Sequence, residues 1–179
     1  ESIKTAEQEF GNTHANYFTS VGDLATILKK KGKYTDAQKI EQENLQGIER
    51  AMGTENLTYV TALKNLGNTC LEQEKFQQAE FYYNSANAQI NKIINKKDDY
   101  YQANTVFVFD AYMGVSIQLG VLYQRMGKIN EAENIYYDLI GFCKSYLQAD
   151  HEAYPLYAVL INNISNIYID NQEFDKAEP

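Results

Sequence analysis

Apolar residues recur along this chain in blocks spaced i, i+3, i+4, i+7, the signature of one face of an α-helix. Val21, Leu24, Ala25 and Leu28 form one block, and Leu63, Leu66, Gly67 and Cys70 a second. Ser116, Leu119, Gly120 and Tyr123 form a third, and Ile161, Ile164, Ser165 and Tyr168 a fourth. The third member is always small. A short polar phrase follows each block: GKYTDAQ from Gly32, EKFQQAE from Glu74, GKINEAE from Gly127 and QEFDKAE from Gln172. Within each phrase a bulky residue precedes an alanine by three positions, as Tyr34/Ala37, Phe76/Ala79, Ile129/Ala132 and Phe174/Ala177. The apolar stripe then resumes, through Tyr82, Tyr83, Ala86 and Ile90 in the second unit and Ile135, Tyr136, Leu139 and Cys143 in the third. The pattern predicts a helix, a turn of a few residues and a second helix, four times over.

The four alanines are 42, 53 and 45 residues apart. Periods of this size belong to stacked repeats rather than to a closed globule. Antiparallel helices approach closely where facing side chains are short, so Ala25, Gly67, Gly120 and Ser165 are expected to meet Ala37, Ala79, Ala132 and Ala177. Gly32 and Gly127 stand where a left-handed residue ends a helix; Glu74 and Gln172 hold that place in the other units, which predicts looser turns there. The longest interval exceeds the shortest by 11 residues, about three helical turns. Asn95 to Asp99 reads as a loop, and the helix after it is expected to be extended, with Phe107, Tyr112, Ser116, Leu119 and Tyr123 in one phase. TVFVF from Thr105 favours extended structure locally. A lone strand in a helical stack would leave its backbone unpaired, so helix is the expectation. Tyr100, Tyr101, Phe107 and Phe109 are expected to pack over the neighbouring hairpin, with a partner-binding patch as the alternative.

These phrases resemble the tetratricopeptide repeat, in particular the long-repeat variety of kinesin light chains. LKNLGNTCLEQEKFQQAE from Leu63 and INNISNIYIDNQEFDKAEP from Ile161 resemble that subfamily's first helix and its turn. FGNTHANYFTSV from Phe10 and QADHEAYPLYAV from Gln148 resemble its connector, although Pro155 and Pro179 are the only prolines in the chain. The resemblance implies an all-α, right-handed superhelical solenoid of antiparallel helix hairpins. The expected division is the end of a preceding repeat at 1–12, repeats at 13–53, 54–97 and 98–149, and a truncated fourth at 150–179. Neither end reads as a polar cap, so a stretch of a longer protein is expected.

The net charge of −8 and pI near 4.8 argue against a nucleic-acid backbone or an anionic membrane as the main partner. The basic run Lys29 to Lys33 reads as a helix end. Cys70 and Cys143 fall on apolar stripes, as buried thiols of a reducing compartment do, and a cytoplasmic protein fits. No run approaches the roughly 20 apolar residues that span a bilayer. NLT at Asn56 and NIS at Asn163 match glycosylation sequons, short patterns that arise often by chance. His14 and His151 occupy equivalent connector places, which favours a role in helix entry over catalysis. Neither lies among ligands at metal spacing, and Asp150, His151 and Glu152 read as helix-start charges. There is no phosphate loop and no nucleophile elbow. No catalytic residue, metal or cofactor is expected.

Surface remains. In such stacks the first helices line a concave face. The residues assigned to a partner-binding groove there are Lys29, Lys30, Lys64, Asn65, Asn68, Gln118, Arg125, Asn162, Asn163 and Asn166. A carboxamide both donates and accepts, which suits a peptide backbone. The resemblance implies the same, because Asn65 and Asn163 match the groove asparagines that hold short cargo-adaptor peptides in kinesin light chains. The expected function is protein–protein binding, as an adaptor or scaffold within a larger complex, in cytoskeletal transport or cilia. The competing readings are a regulatory arm of an enzyme or transcription regulator, and a purely architectural segment.

Overall fold

The imidazole of His14 accepts a hydrogen bond from the Asn16 backbone at 3.2 Å and starts the first helix among the described residues, α1 (Ala15–Lys30). In this computed structural model, which describes residues 14–147, 155–170 and 172, six more helices follow. They are α2 (Tyr34–Met52), α3 (Leu57–Glu72), α4 (Phe76–Lys96), α5 (Asp99–Arg125), α6 (Ile129–Leu147) and α7 (Pro155–Asp170). No strand occurs among the described residues. Asn56 caps α3, its Oδ1 accepting from Tyr59 N at 2.9 Å while its Nδ2 donates to the Gly53 carbonyl at 2.9 Å. Asn56 is thus a buried structural residue. Asp98 caps α5 in the same way, accepting from Tyr101 N at 3.0 Å. His151, Phe174, Ala177 and the N-terminal twelve residues lie outside the described residues.

The turns inside the hairpins share one geometry. Gly32 and Gly127 both have φ of 73°, and Glu74 and Gln172 adopt the same left-handed region at 57° and 62°. Lys33, Lys75 and Lys128 then donate to the carbonyls of Leu28, Cys70 and Tyr123 at 3.0, 2.9 and 2.8 Å. The expectation of a looser turn at Glu74 is therefore corrected. Packing on both sides dictates the conformation, and a non-glycine residue bears the steric cost.

The contacts divide the chain into two units, with the boundary inside α5 after Tyr112. In the first, α1 packs on α2, α2 on α3 and α3 on α4, and α1 also touches α3. Phe18, Ile48 and Ala62 form one cluster there, with Tyr17, Leu45 and Tyr59 packed around it. In the second unit α6 packs on α7, and Cys143 Sγ lies 3.8 Å from Met113 Sδ.

The small residues work differently from the expected small-to-small contact. A Cβ on Gly67 would stand 2.7 Å from Tyr83 Cδ1, and one on Gly120 would stand 2.6 Å from Tyr136 Cζ. Each glycine is a seat for a tyrosine ring four residues beyond the alanine of the polar phrase, and both rings are fully buried. The hydroxyls reach polar partners, Tyr83 donating to Asn68 Oδ1 at 2.8 Å and Tyr136 to Gln124 Oε1 at 2.7 Å. In the first hairpin the position equivalent to these tyrosines holds Glu41, which is 3% exposed. It accepts from Lys29 Nζ at 2.9 Å and from Thr69 Oγ1 at 2.6 Å, so a charged clasp replaces the ring.

Thr105 to Phe109 are helical, as expected, within the 27 residues of α5. The phase is not. Asn104 is non-helical (φ −121°, ψ 16°), and its Nδ2 donates to the Tyr100 carbonyl at 2.8 Å in competition with the backbone ladder. Phe107 is 63% exposed, whereas Val108 and Phe109 are buried with Ser116 and Leu119. Phe107 lies nine residues from Ser116, two and a half turns at 3.6 residues per turn, which puts it on the opposite face. Tyr100 turns back to α3, where its hydroxyl accepts the Leu57 N–H at 2.9 Å. By length and composition α5 is apolar enough to cross a bilayer, contrary to the sequence expectation, and half of that apolar stretch is buried.

Candidate functional site

Two positions before the small residue of each first helix stands a side chain bearing a carboxylate or a carboxamide: Asp23 on α1, Asn65 on α3, Gln118 on α5 and Asn163 on α7. The helical period carries each of these to the side away from the apolar stripe. Asp23, Asn65 and Gln118 make no side-chain hydrogen bond or ion pair with another described residue. The Asn163 amide nitrogen is buried, next to the Tyr136 hydroxyl. Seven residues further along each helix, on the same face, stand Lys30, Glu72, Arg125 and Asp170, all exposed.

In the first unit this face contains a cavity of about 270 Å³ between α1 and α3, whose lining includes Asp23, Asn44, Thr61 and Asn65. In the second unit a larger cavity of about 820 Å³ opens between α6 and α7, lined by Tyr137, Ile140, Tyr157, Ile161, Asn162 and Lys144 among others. Both are lined mostly by apolar surface; Asp23 and Asn65 edge the first, Asn162 and Lys144 the second.

The sequence-predicted groove residues separate into groups. Lys30, Arg125, Asn162 and Asn166 are exposed, and Lys64, Asn65, Gln118 and Asn163 are half-buried. Burial pulls the Lys64 ammonium below its ordinary pKa. Lys29 is committed to Glu41, and Asn68 receives the Tyr83 hydroxyl, so both side chains serve the fold. Asn162 lines the cavity between α6 and α7, one position away from Asn163, which adjoins the Tyr136 hydroxyl. Asp23 is missing from the sequence-predicted groove on the first helix. Counting back two positions from Ala25, as from Gly67, finds it.

Among the described residues no group of three or more His, Cys, Asp and Glu is placed to hold a metal ion. Burial pushes the Cys70 thiol up to about 11 and raises that of Cys143, so neither is a ready nucleophile near neutral pH. His14 is occupied as a helix cap.

Residues 19–88 match one tetratricopeptide repeat family profile and residues 117–153 match another. Together the two matches cover more than half of the chain. It is a tetratricopeptide repeat protein. No curated protein matches this tetratricopeptide repeat protein in sequence. Its fold matches the nearly identical TPR-like repeats from Podosopora anserina ascribed to a kinesin light chain, with a TM-score of 0.68 at 13% identity, over 98% of this chain and 77% of that one. A single-substitution variant of those repeats matches with a TM-score of 0.69 at 12% identity, over 98% and 76% of the two chains. BtubC (BKLC) from P. vanneervenii matches with a TM-score of 0.68 at 18% identity, over 91% of this chain and 59% of that one. At these identities the likeness is one of fold, and it is the helix-hairpin solenoid fold expected from the repeated phrases. Repeats of this kind make the protein an interaction module.

Proposed function

We propose that this tetratricopeptide repeat protein binds peptide segments of protein partners, on the face that α1 and α3 present in the first unit and, separately, on the face of the same register in the second. The observation that supports this reading is the register of Asp23, Asn65, Gln118 and Asn163. Four helices place a carboxylate or carboxamide at one position, and the hydrogen-bonding capacity of Asp23, Asn65 and Gln118 is left unused within the described fold. Chance surface polarity gives no reason for such a repeat. An amide that can donate and accept is suited to an extended or helical backbone, whose sequence it need not read. Lys30, Lys64, Arg125, Asn162 and Asn166 flank the row, while Lys29 and Asn68 hold it in shape. The fold likeness to kinesin light chain repeats supports an adaptor or scaffold role, with cytoskeletal transport as its setting, and the two buried thiols suit a cytoplasmic protein.

The test is a peptide selected against the intact chain by display, then titrated against wild type and the double variant Asn65→Ala/Asn163→Ala. Each neutral hydrogen bond contributes about 0.5–1.5 kcal/mol, so about a tenfold loss of affinity is expected with the helical signal unchanged. Affinity equal to wild type would move the binding surface off these helices.

A further inference from the structure

The polar groups that α1 contributes to the cavity between α1 and α3 are acceptors. Thr19 and Thr26 donate their hydroxyl protons to the Ala15 and Gly22 carbonyls, each at 3.1 Å, and so present only lone pairs. Asp23 has no ion-pair partner among the described residues, and no lysine or arginine lines the cavity. Asn44, in the cavity wall, is 9% exposed. Its Nδ2 is committed to the Phe18 carbonyl at 3.1 Å, and its Oδ1 is buried without a hydrogen-bond partner. On α1 the groups with spare capacity, Thr19, Asp23 and Thr26, are therefore acceptors, and one carries full negative charge; Thr58, Thr61 and Asn65 on α3 can also donate.

From these observations we propose that the cavity receives the guanidinium of an arginine side chain from the partner, an inference that rests on the peptide-face reading above. The volume of about 270 Å³ lies just under the range of roughly 300–1,000 Å³ common for small-molecule pockets, and it suits a single long side chain. Guanidinium offers five donors in a planar fork. Two of them match the Asp23 carboxylate, leaving others for the oxygens of Thr19 and Thr26. An ammonium presents three donors around a point and cannot make the bidentate pair. The chain's net charge of −8 favours the approach of a cationic segment to the protein as a whole. The asparagines then hold the peptide backbone, and Asp23 selects a basic residue at one position.

The probes are acetyl-Gly-Arg-Gly-amide and its citrulline counterpart, which keeps the shape of the side chain and removes its charge. Each is titrated into the isotopically labelled 179-residue chain while amide shifts are followed by NMR. The arginine peptide is expected to give saturable shifts at Asp23, Thr61 and Asn65. The citrulline peptide should bind at least about tenfold more weakly, as a charged hydrogen bond is worth about 1.5–3 kcal/mol. Asp23→Asn, an exposed change that leaves the core alone, should abolish that preference. Equal binding of the two peptides, absence of saturable shifts at these residues, or a preference that survives Asp23→Asn each overturn the arginine pocket. With the display-selected peptide, arginine indifference alongside intact dependence on Asn65 and Asn163 removes the pocket alone. Indifference to Asn65 and Asn163 removes the face itself.

Discussion

Gly67 and Gly120 owe their place to what lies above them. A hydrogen atom where other residues carry a methyl admits the rings of Tyr83 and Tyr136. Neither ring can retreat, because both are fully buried and their hydroxyls are tied to Asn68 and Gln124. Gly67→Ala or Gly120→Ala is therefore expected to cost about 2 kcal/mol through overpacking, although alanine favours helix. A urea midpoint equal to wild type would contradict the ring seat. Glu41 is the polar version of the same position. Burial holds its carboxyl above the ordinary 4.5, against the opposing pull of Thr69 and Lys29. The folded state thus binds this proton more tightly than the unfolded chain. The contribution of Glu41 to stability falls as pH rises from 4.5 through the raised folded value. Lys29→Met removes the cation and pushes the carboxyl further up. At about pH 8 the charge is then buried alone, at a cost of about 3 kcal/mol. At pH 4.5, below the raised value, the carboxyl is mostly protonated and the loss shrinks. Urea melts at the two pH values would show it, and equal losses would mean that Glu41 is not the group left exposed to the change.

At the scale of the element, the turns and α5 carry the lesson. Glu74 occupies at φ 57° the place that glycine fills at Gly32 and Gly127. A side chain there costs about 1 kcal/mol, so Glu74→Gly is expected to raise stability by about that amount, read as a higher urea midpoint with unchanged slope. A lower midpoint would mean that the Glu74 side chain contributes more than its backbone strain costs. In α5 the three added turns were legible from the 11-residue excess, since helix length follows from periodicity. The position of Phe107 follows from the same arithmetic applied strictly. The break at Asn104 was not legible, because a carboxamide in a helix bends it only when it turns inward to a carbonyl, here that of Tyr100.

At the scale of the molecule, charge is the global property that bears on binding. A net charge of −8 spread over a chain that engages a cationic segment should make association sensitive to salt. Raising ionic strength from about 0.05 to about 0.5 M is expected to slow association with an arginine-bearing partner peptide several-fold, with a smaller effect on dissociation. Stopped-flow anisotropy would measure both rates, and a salt-independent association rate would argue for a neutral partner.

Helix, turn and helix were written locally in this chain. The spacing of apolar residues specifies which face is buried, and the small residue in each first helix marks where a neighbour comes close. That local code also placed Asn65, Gln118 and Asn163 on the side away from the stripe. What it could not supply was the far end of each interaction. Lys29 and Lys30 are adjacent and chemically alike, yet one is held by Glu41 twelve residues away and the other is exposed. Asn65 and Asn68 share a helix, yet one carboxamide is without a partner and the other receives Tyr83 from α4. Whether a polar side chain is consumed internally depends on the approach of a second helix. That approach is a property of packing between segments distant in sequence, so only the tertiary structure separates the side chains that build the face from those left to bind across it.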